Sequence, residues 1–208
     1  MDKKIIIIKI GSGILLTKRN TIDKFRLAHI ADQVFDLKKQ RVGVVLVVSG
    51  AVAIGANFVD VLQGSLNKQI AAGIGQTHLI SIIQSIFNKK GLQVSQLLLT
   101  KDLFTKVKLK NQIKKVLEIC AFSEIVPVLN ENDVVELNSF QGNDFLAERV
   151  TQLLSANKLI ILSTMQGSVY GVGGGQAKQQ VIRALSKINI PVEIVDGKAR
   201  NVIMGVTI

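Results

Sequence analysis

Cysteine, proline and acidic residues are all scarce in this chain of 208 residues, and each shortage removes a class of protein. The single cysteine, Cys120, allows no disulfide framework and no cysteine-built metal site. Two prolines beside 17 glycines and a hydrophobic content of 48% exclude collagen-like and disordered chains. No apolar stretch reaches the roughly 18 residues of a membrane span. The first apolar run, from Ile5, is broken by Lys9 after Ile8 and has no small-residue cleavage site. A buried strand is expected there, and a cytoplasmic protein that does not contact membranes. Asp and Glu number 15 against 26 Lys and Arg, a net charge of +11. Such an excess predicts an anionic partner without choosing between nucleic acid, membrane and phosphorylated metabolite. The length fits one domain with a sizeable core.

What the chain does contain is an alternation of β-branched runs and helix-periodic segments. The runs cover 4–10, 42–48, 92–99, 125–129, 158–162, 191–195 and 202–208. Most show no in–out alternation, as expected for strands covered on both faces. Helices are predicted over 22–40, 67–90, 111–122, 143–156 and 177–189, with Gly43, Gly91 and Asn157 near their ends as left-handed stop residues. Alternating elements imply right-handed crossovers, a mainly parallel sheet and a three-layer α/β/α sandwich. There is no internal repeat, linker or low-complexity tract.

Ligands of such sheets bind at the carboxyl ends of the strands. The residues following the runs are polar and glycine-rich: Gly11-Ser12-Gly13, Ser49-Gly50-Ala51, Thr100, Asn130-Glu131-Asn132-Asp133 and Ser163-Thr164. Lys9 before Gly11-Ser12-Gly13 suits an anion held by backbone N–H groups and an ammonium, although the spacing is not that of a P-loop. Ser49-Gly50 offers a hydroxyl beside a residue that allows close backbone approach. It is no nucleophile elbow, and His29 and His78 fall within helices, so serine-hydrolase chemistry is disfavoured. Asn130 to Asp133, with Gly142-Asn143-Asp144 at a helix start, suits the ammonium and carboxylate of an amino acid; helix capping by Asn143 or Asp144 is the bland alternative. Gly173-Gly174-Gly175 opens a helix whose first turn carries Lys178, opposite in sign to what the helix dipole favours, so Lys178 is expected to serve a bound anion. Two lysines on separate glycine loops suit charge on a transferring phosphoryl group.

These motifs, in this order, resemble the amino acid kinase family, most closely its glutamate 5-kinase branch, across nearly the whole chain. Lys9-Ile10-Gly11-Ser12 resembles the family's opening Lys-x-Gly-Ser/Thr-Ser. Ser49 to Gly55 is similar to Ser-Gly-Ala-Val/Ile-Ala-Ala-Gly, Lys68 to Gln76 to Lys-Gln-x-x-Ala-Ala-Val-Gly-Gln, and Asn130 to Asp133 to Asn-Glu-Asn-Asp. Leu98-Leu99-Thr100 resembles Leu-Leu-Thr, and the segment from Gly173 to Lys178 resembles Thr-Gly-Gly-Met-x-Thr-Lys loosely. The resemblance implies Mg²⁺-ATP-dependent phosphorylation of the L-glutamate side-chain carboxylate, the first step toward proline, with no covalent enzyme intermediate. It assigns Lys9, Asp144 and Lys178 to catalysis. Ser49, Gly50, Asn130, Asp133 and Asn143 would hold glutamate. Lys9, Gly11, Ser12, Ser163, Thr164, Gly173, Gly174, Gly175 and Lys178 would contact the nucleotide. Mg²⁺ would be held by phosphates and water, with no protein ligand. A homo-oligomer is expected by analogy.

The sequence departs from the family pattern in three places. Gly-Asp-Asn-Asp is here Gln141-Gly142-Asn143-Asp144, without the first aspartate. Thr-Asp-x-x-Gly-Leu-Tyr is here Ser163 to Tyr170, without its aspartate. Several dozen residues between that tyrosine and the glycine run are reduced to Gly171 and Val172. The expectation is a single domain over 1–208, with an acceptor part at about 1–157, a reduced nucleotide part at about 158–208, and no room for a C-terminal extra domain. Two alternatives stay open: a kinase for another small acceptor, or a catalytically impaired homologue that binds a metabolite or partner. Lys101, Lys106, Lys108, Lys110, Lys114 and Lys115 lack interleaved aromatics beyond Phe104, so a solvated face is expected there rather than a nucleic-acid surface.

Overall fold

A computed structural model describes residues 4–59, 64–164 and 175–206. Six strands, β1 (Ile5–Ile10), β2 (Gly43–Val48), β3 (Gln93–Leu99), β4 (Ile125–Glu131), β5 (Lys158–Ser163) and β6 (Val192–Asp196), form one parallel sheet in the order β3-β4-β2-β1-β5-β6. β1 and β2, the central pair, are buried at every position. That is why their sequences are unbroken Ile/Val/Leu stretches apart from Lys9 and Gly43. The edge strands β3 and β6 are half-exposed.

Two apolar layers enclose the sheet. On one face Ile6, Ile8, Val44, Leu46 and Val128 pack on α2 (Lys24–Lys39) and α4 (Ser65–Asn88) through Leu27, Val34, Leu79, Ile83 and Phe87. On the other, Ile5, Ile7, Val45, Val47 and Ile161 pack on α5 (Val107–Ala121), α6 (Asn143–Leu154) and α7 (Gly175–Ser186) through Leu117, Leu146, Val150, Val181 and Leu185. Successive strand residues point to opposite faces, so the tandem isoleucines of β1 feed both layers. The architecture is the α/β/α sandwich that the alternation predicts.

Three local expectations are corrected. The run at 202–208 is not a strand over its described part: α8 (Val202–Gly205) forms there, and the Gln33 side-chain oxygen accepts from the N–H groups of Ile203 (2.9 Å) and Met204 (3.4 Å). Gly43 sits in β2 and Asn157 carries no left-handed φ; Arg41 (φ 62°) and Ser155 (φ 46°) take the left-handed positions, while Gly91 (φ 74°) is as expected. The freed Asn157 side chain instead accepts from Ile5 N–H at 2.8 Å.

Among the described residues one helix, α4, is long and apolar enough to cross a membrane. Here it is a core helix. It lies against the short α3 (Ala51–Gly55) so closely that a Cβ on Gly75 would fall 1.8 Å from the Ala51 carbonyl oxygen, and one on Gly55 1.8 Å from that of Ala71. Only two glycines facing each other's backbone allow this approach.

Candidate functional site

The carboxyl ends of β1, β2, β4 and β5 open into one cleft of about 500 Å³. Its base is a three-membered ion cluster. Lys9, near the end of β1, puts Nζ 2.7 Å from Asp144 Oδ1; Lys178, in the first turn of α7, puts Nζ 3.0 Å from Asp144 Oδ2. The Asp144 side chain is 1% exposed and the lysines 9% and 12%. Burial pulls the Lys9 ammonium below its ordinary value; the Asp144 carboxylate opposes that shift and Lys178 adds to it. Two ammonium groups thus meet on one carboxylate at the floor of a polar cleft.

Each partner is held by a regular element. Lys9 is locked by the register of β1 between β2 and β5 (Lys9 opposite Val47 and Ile161). Asp144 is the second residue of α6. Capping is not its role: the N-cap is Gly142, and no side chain caps this helix. Gly142 has φ 118° and ψ 155°, a region essentially reserved for glycine. The preceding Gln141 is also left-handed, at φ 66°. This double turn brings Asn143 and Asp144 to the cleft.

Ser49, Gly50, Asn130, Asp133 and Asn143 line the same cleft, as do Gly11, Ser12, Ser163 and Thr164. Gly50, at φ 109°, makes the left-handed turn from β2 into α3. The Gly11 N–H is not available to an anion, because it donates to the Leu162 carbonyl at 3.1 Å. The amides that follow, Ser12 and Gly13, open the short α1 (Ser12–Leu15), where no carbonyl one turn back can receive them. Asn143 Oδ1 is buried and, among the described residues, accepts no hydrogen bond. Asp133 accepts from Asn138 N–H at 2.9 Å, and burial pushes its carboxyl up. Gly175 is exposed at the start of α7 and does not line the cleft; Gly173 and Gly174 lie outside the described residues.

Two residues here escaped the sequence reading. Glu131 lines the cleft at 3% exposure, accepts from Phe140 N–H at 3.0 Å, and is pushed up by burial. Gln76, buried on α4, accepts from Asn130 Nδ2 at 2.8 Å. Both stand inside motifs already singled out, but no spacing rule says which polar residue of a motif turns inward. His29 stacks on Phe25 within α2 and His78 of α4 stacks on Phe58; neither histidine lines the cleft. The lysine run is largely exposed, with Lys106 near Asp102 and Lys114 near Glu118, each at 3.8 Å.

Among the described residues no three His, Cys, Asp or Glu side chains are grouped to cage a metal ion. Both oxygens of the floor carboxylate face lysines. This donor set fits a divalent cation that arrives on nucleotide phosphates and keeps its waters, not one held by a protein cage.

Known proteins resemble this chain in fold and in sequence. A crystal structure of UMP kinase from Ureaplasma parvum has the same fold, with a TM-score of 0.65 over 99% of this chain and 95% of its own, at 16% identity. Glutamate 5-kinase of Aquifex aeolicus is 32% identical over 95% of this chain and 65% of its own length. Glutamate 5-kinase 2 of Bacillus subtilis is 32% identical over 96% of this chain and 55% of its own. The chain thus spans between about half and two thirds of these curated relatives. The amino acid kinase family pattern matches residues 4–193, running from β1 with Lys9 through the Asp144 helix and Lys178 into β6, and the chain belongs to that family.

Proposed function

We propose that this chain transfers the terminal phosphoryl group of ATP to the side-chain carboxylate of L-glutamate. The observation that carries the reading is the Lys9–Asp144–Lys178 bridge at the cleft floor. Phosphoryl transfer runs through a loose transition state with charge spread over the equatorial oxygens, so catalysis is mostly positioning and charge stabilisation. Two ammonium groups sharing one carboxylate supply that. Asp144 fixes both lysines so that their ammonium groups are already in place for the charge of the migrating group. The glutamate carboxylate oxygen attacks the γ-phosphorus in line as the bond to the β-phosphate oxygen breaks, and ADP leaves. Mg²⁺ on the phosphates would withdraw charge from the leaving diphosphate.

In this reading Asn130, Ser49 and Gly50 hold the acceptor's carboxylate end, while Asp133 and the Asn143 side-chain oxygen, which has no partner among the described residues, face its ammonium. Ser12, Ser163 and Thr164 border the nucleotide with Gly11, which shapes the turn. The acceptor part is then about 1–157 and the nucleotide part about 158–208 of one domain, in a cytoplasmic, homo-oligomeric enzyme. The relatives named glutamate 5-kinase support the acceptor.

One observation favours a second reading, a different small acid as acceptor: Gly142 brings no carboxylate to this corner of the cleft, and its backbone admits none without rearrangement. An ADP-release assay with Mg²⁺-ATP and a panel of amino and carboxylic acids separates the two. Turnover is expected with L-glutamate and is expected to be lost in Lys9→Met. Folded protein that turns over no acceptor overturns both readings.

A further inference from the structure

Asn130 is 2% exposed, lines the cleft and is held at both ends of its amide. Its Oδ1 accepts from the backbone N–H of Glu131 at 2.9 Å, and its Nδ2 donates to Gln76 Oε1 at 2.8 Å. A backbone N–H can only donate, so it fixes which end of the amide carries the oxygen. Gln76 must then present its own oxygen, and its Nε2 is left buried with no partner among the described residues. A buried amide nitrogen without a partner is unfavourable and uncommon in native structures. An apolar side chain of similar size at this helix position would avoid it.

We propose that Gln76 is a positioning residue that locks the amide of Asn130, so that the second Nδ2 hydrogen is held in place as a donor to the acceptor while Oδ1 keeps one lone pair. The assignment deepens the proposed function, on which its ligand rests. In it the locked Nδ2 donates to a carboxylate oxygen of the acceptor. Gln76 reaches the ligand only through Asn130, since Gln76 itself does not line the cleft.

The test uses the whole chain and two substitutions. Gln76→Met keeps volume but removes the oxygen that receives Asn130. Asn130→Asp puts a second oxygen opposite Gln76, whose amide can turn over and give its partnerless nitrogen to the new carboxylate. Calorimetric titration with L-glutamate is expected to show binding weakened about tenfold in Gln76→Met, the equivalent of one hydrogen bond of ordinary strength. Binding is expected to be abolished in Asn130→Asp, although that variant melts no lower than the parent. In turnover the Gln76→Met effect falls on KM for the acceptor and leaves kcat and KM for ATP within about twofold, a split that a merely structural role would not produce. Nuclear magnetic resonance of the Asn130 side-chain amide reads the lock without any ligand: its hydrogens are expected to exchange slowly with solvent in the parent and fast in Gln76→Met. Unchanged exchange, or parent-like glutamate affinity in Gln76→Met, overturns the proposal. If the parent binds no L-glutamate, the proposed function falls, and the resonance measurement still decides the role of Gln76.

Discussion

Replacing Gly75 by alanine puts a methyl group where α4 touches α3. The new Cβ would lie 1.8 Å from the Ala51 carbonyl oxygen and 2.7 Å from both the Ala51 carbonyl carbon and the Gly55 nitrogen. Contacts below 3.0 Å are essentially never tolerated, so the helices must separate by about 1 Å or more. Every clashing atom is backbone, and no side chain can rotate away. Overpacking of this kind costs about 1–3 kcal/mol, and a backbone clash belongs at the upper end. For a domain of this size about 3 kcal/mol lowers Tm by roughly 6–12 °C. Ala51 follows Gly50 at the wall of the cleft, so the displacement reaches the acceptor side, where a 1 Å error can reduce turnover by about 10²-fold. Gly73→Ala, two residues away on the same helix, is the control: its Cβ would meet only Val134 Cγ2, at 3.4 Å. Better helix propensity there makes it neutral or stabilising by up to about 1 kcal/mol. Thermal melts and acceptor KM for the two variants decide the matter. A Gly75→Ala protein that melts within about 2 °C of the parent with unchanged KM refutes the close-packed helix pair.

Other outcomes follow from the cleft and its supports. Asp144→Asn removes the carboxylate that joins Lys9 and Lys178; stability is expected to fall by about 3 kcal/mol and turnover by about 100-fold or more, read by denaturant titration and ADP release. Glu131→Gln keeps an oxygen for Phe140 N–H while discarding a charge that burial disfavours. Because the folded carboxyl titrates above the ordinary 4.5, the parent binds more protons folded than unfolded above that pH, and its stability declines as pH rises. Glu131→Gln is therefore expected to melt above the parent at pH 7 and level with it below pH 4.5; a gap independent of pH counts against the assignment. Gln141→Gly relieves a left-handed φ of 66° and is expected to stabilise by about 0.5–1 kcal/mol. Gly142→Asp forces a side chain into a glycine-only region and is expected to destabilise by about 1–3 kcal/mol without improving acceptor KM.

Legibility in the sequence tracked burial. β1, β2 and β5 are covered on both faces, so their unbroken Ile, Val and Leu runs could mean little else, and the polar residues after them marked the cleft. The lysine–aspartate–lysine set was legible because each member lies within three residues of a glycine at a strand end or a helix start. The run at 202–208 read as a strand because a short apolar stretch fits either element. Its helix is secured by Gln33, far away in the chain, and no local signal carries that. The role of Gln76 was hidden for the same reason: a glutamine inside an apolar helix reads as surface until its partner across the core is known. Gly11 was legible as a tight position, but its purpose was not. A Cβ there would sit 3.2 Å from the Leu162 carbonyl oxygen, so the glycine serves the approach of two strands.

The strand order also bears on how the protein is made. β1 lies between β2 and β5, and β5 is synthesised only after β2, β3 and β4. The half-sheet β3-β4-β2-β1 can therefore assemble while the β5-facing edge of β1 is still bare. That edge belongs to four consecutive isoleucines, a strong template for pairing with another chain. Until residues 158–163 emerge and dock, the nascent protein presents its stickiest surface to the ribosome's surroundings. Slow translation through the segment between β4 and β5 is thus expected to raise aggregation in a growing cell, even where the finished protein is stable.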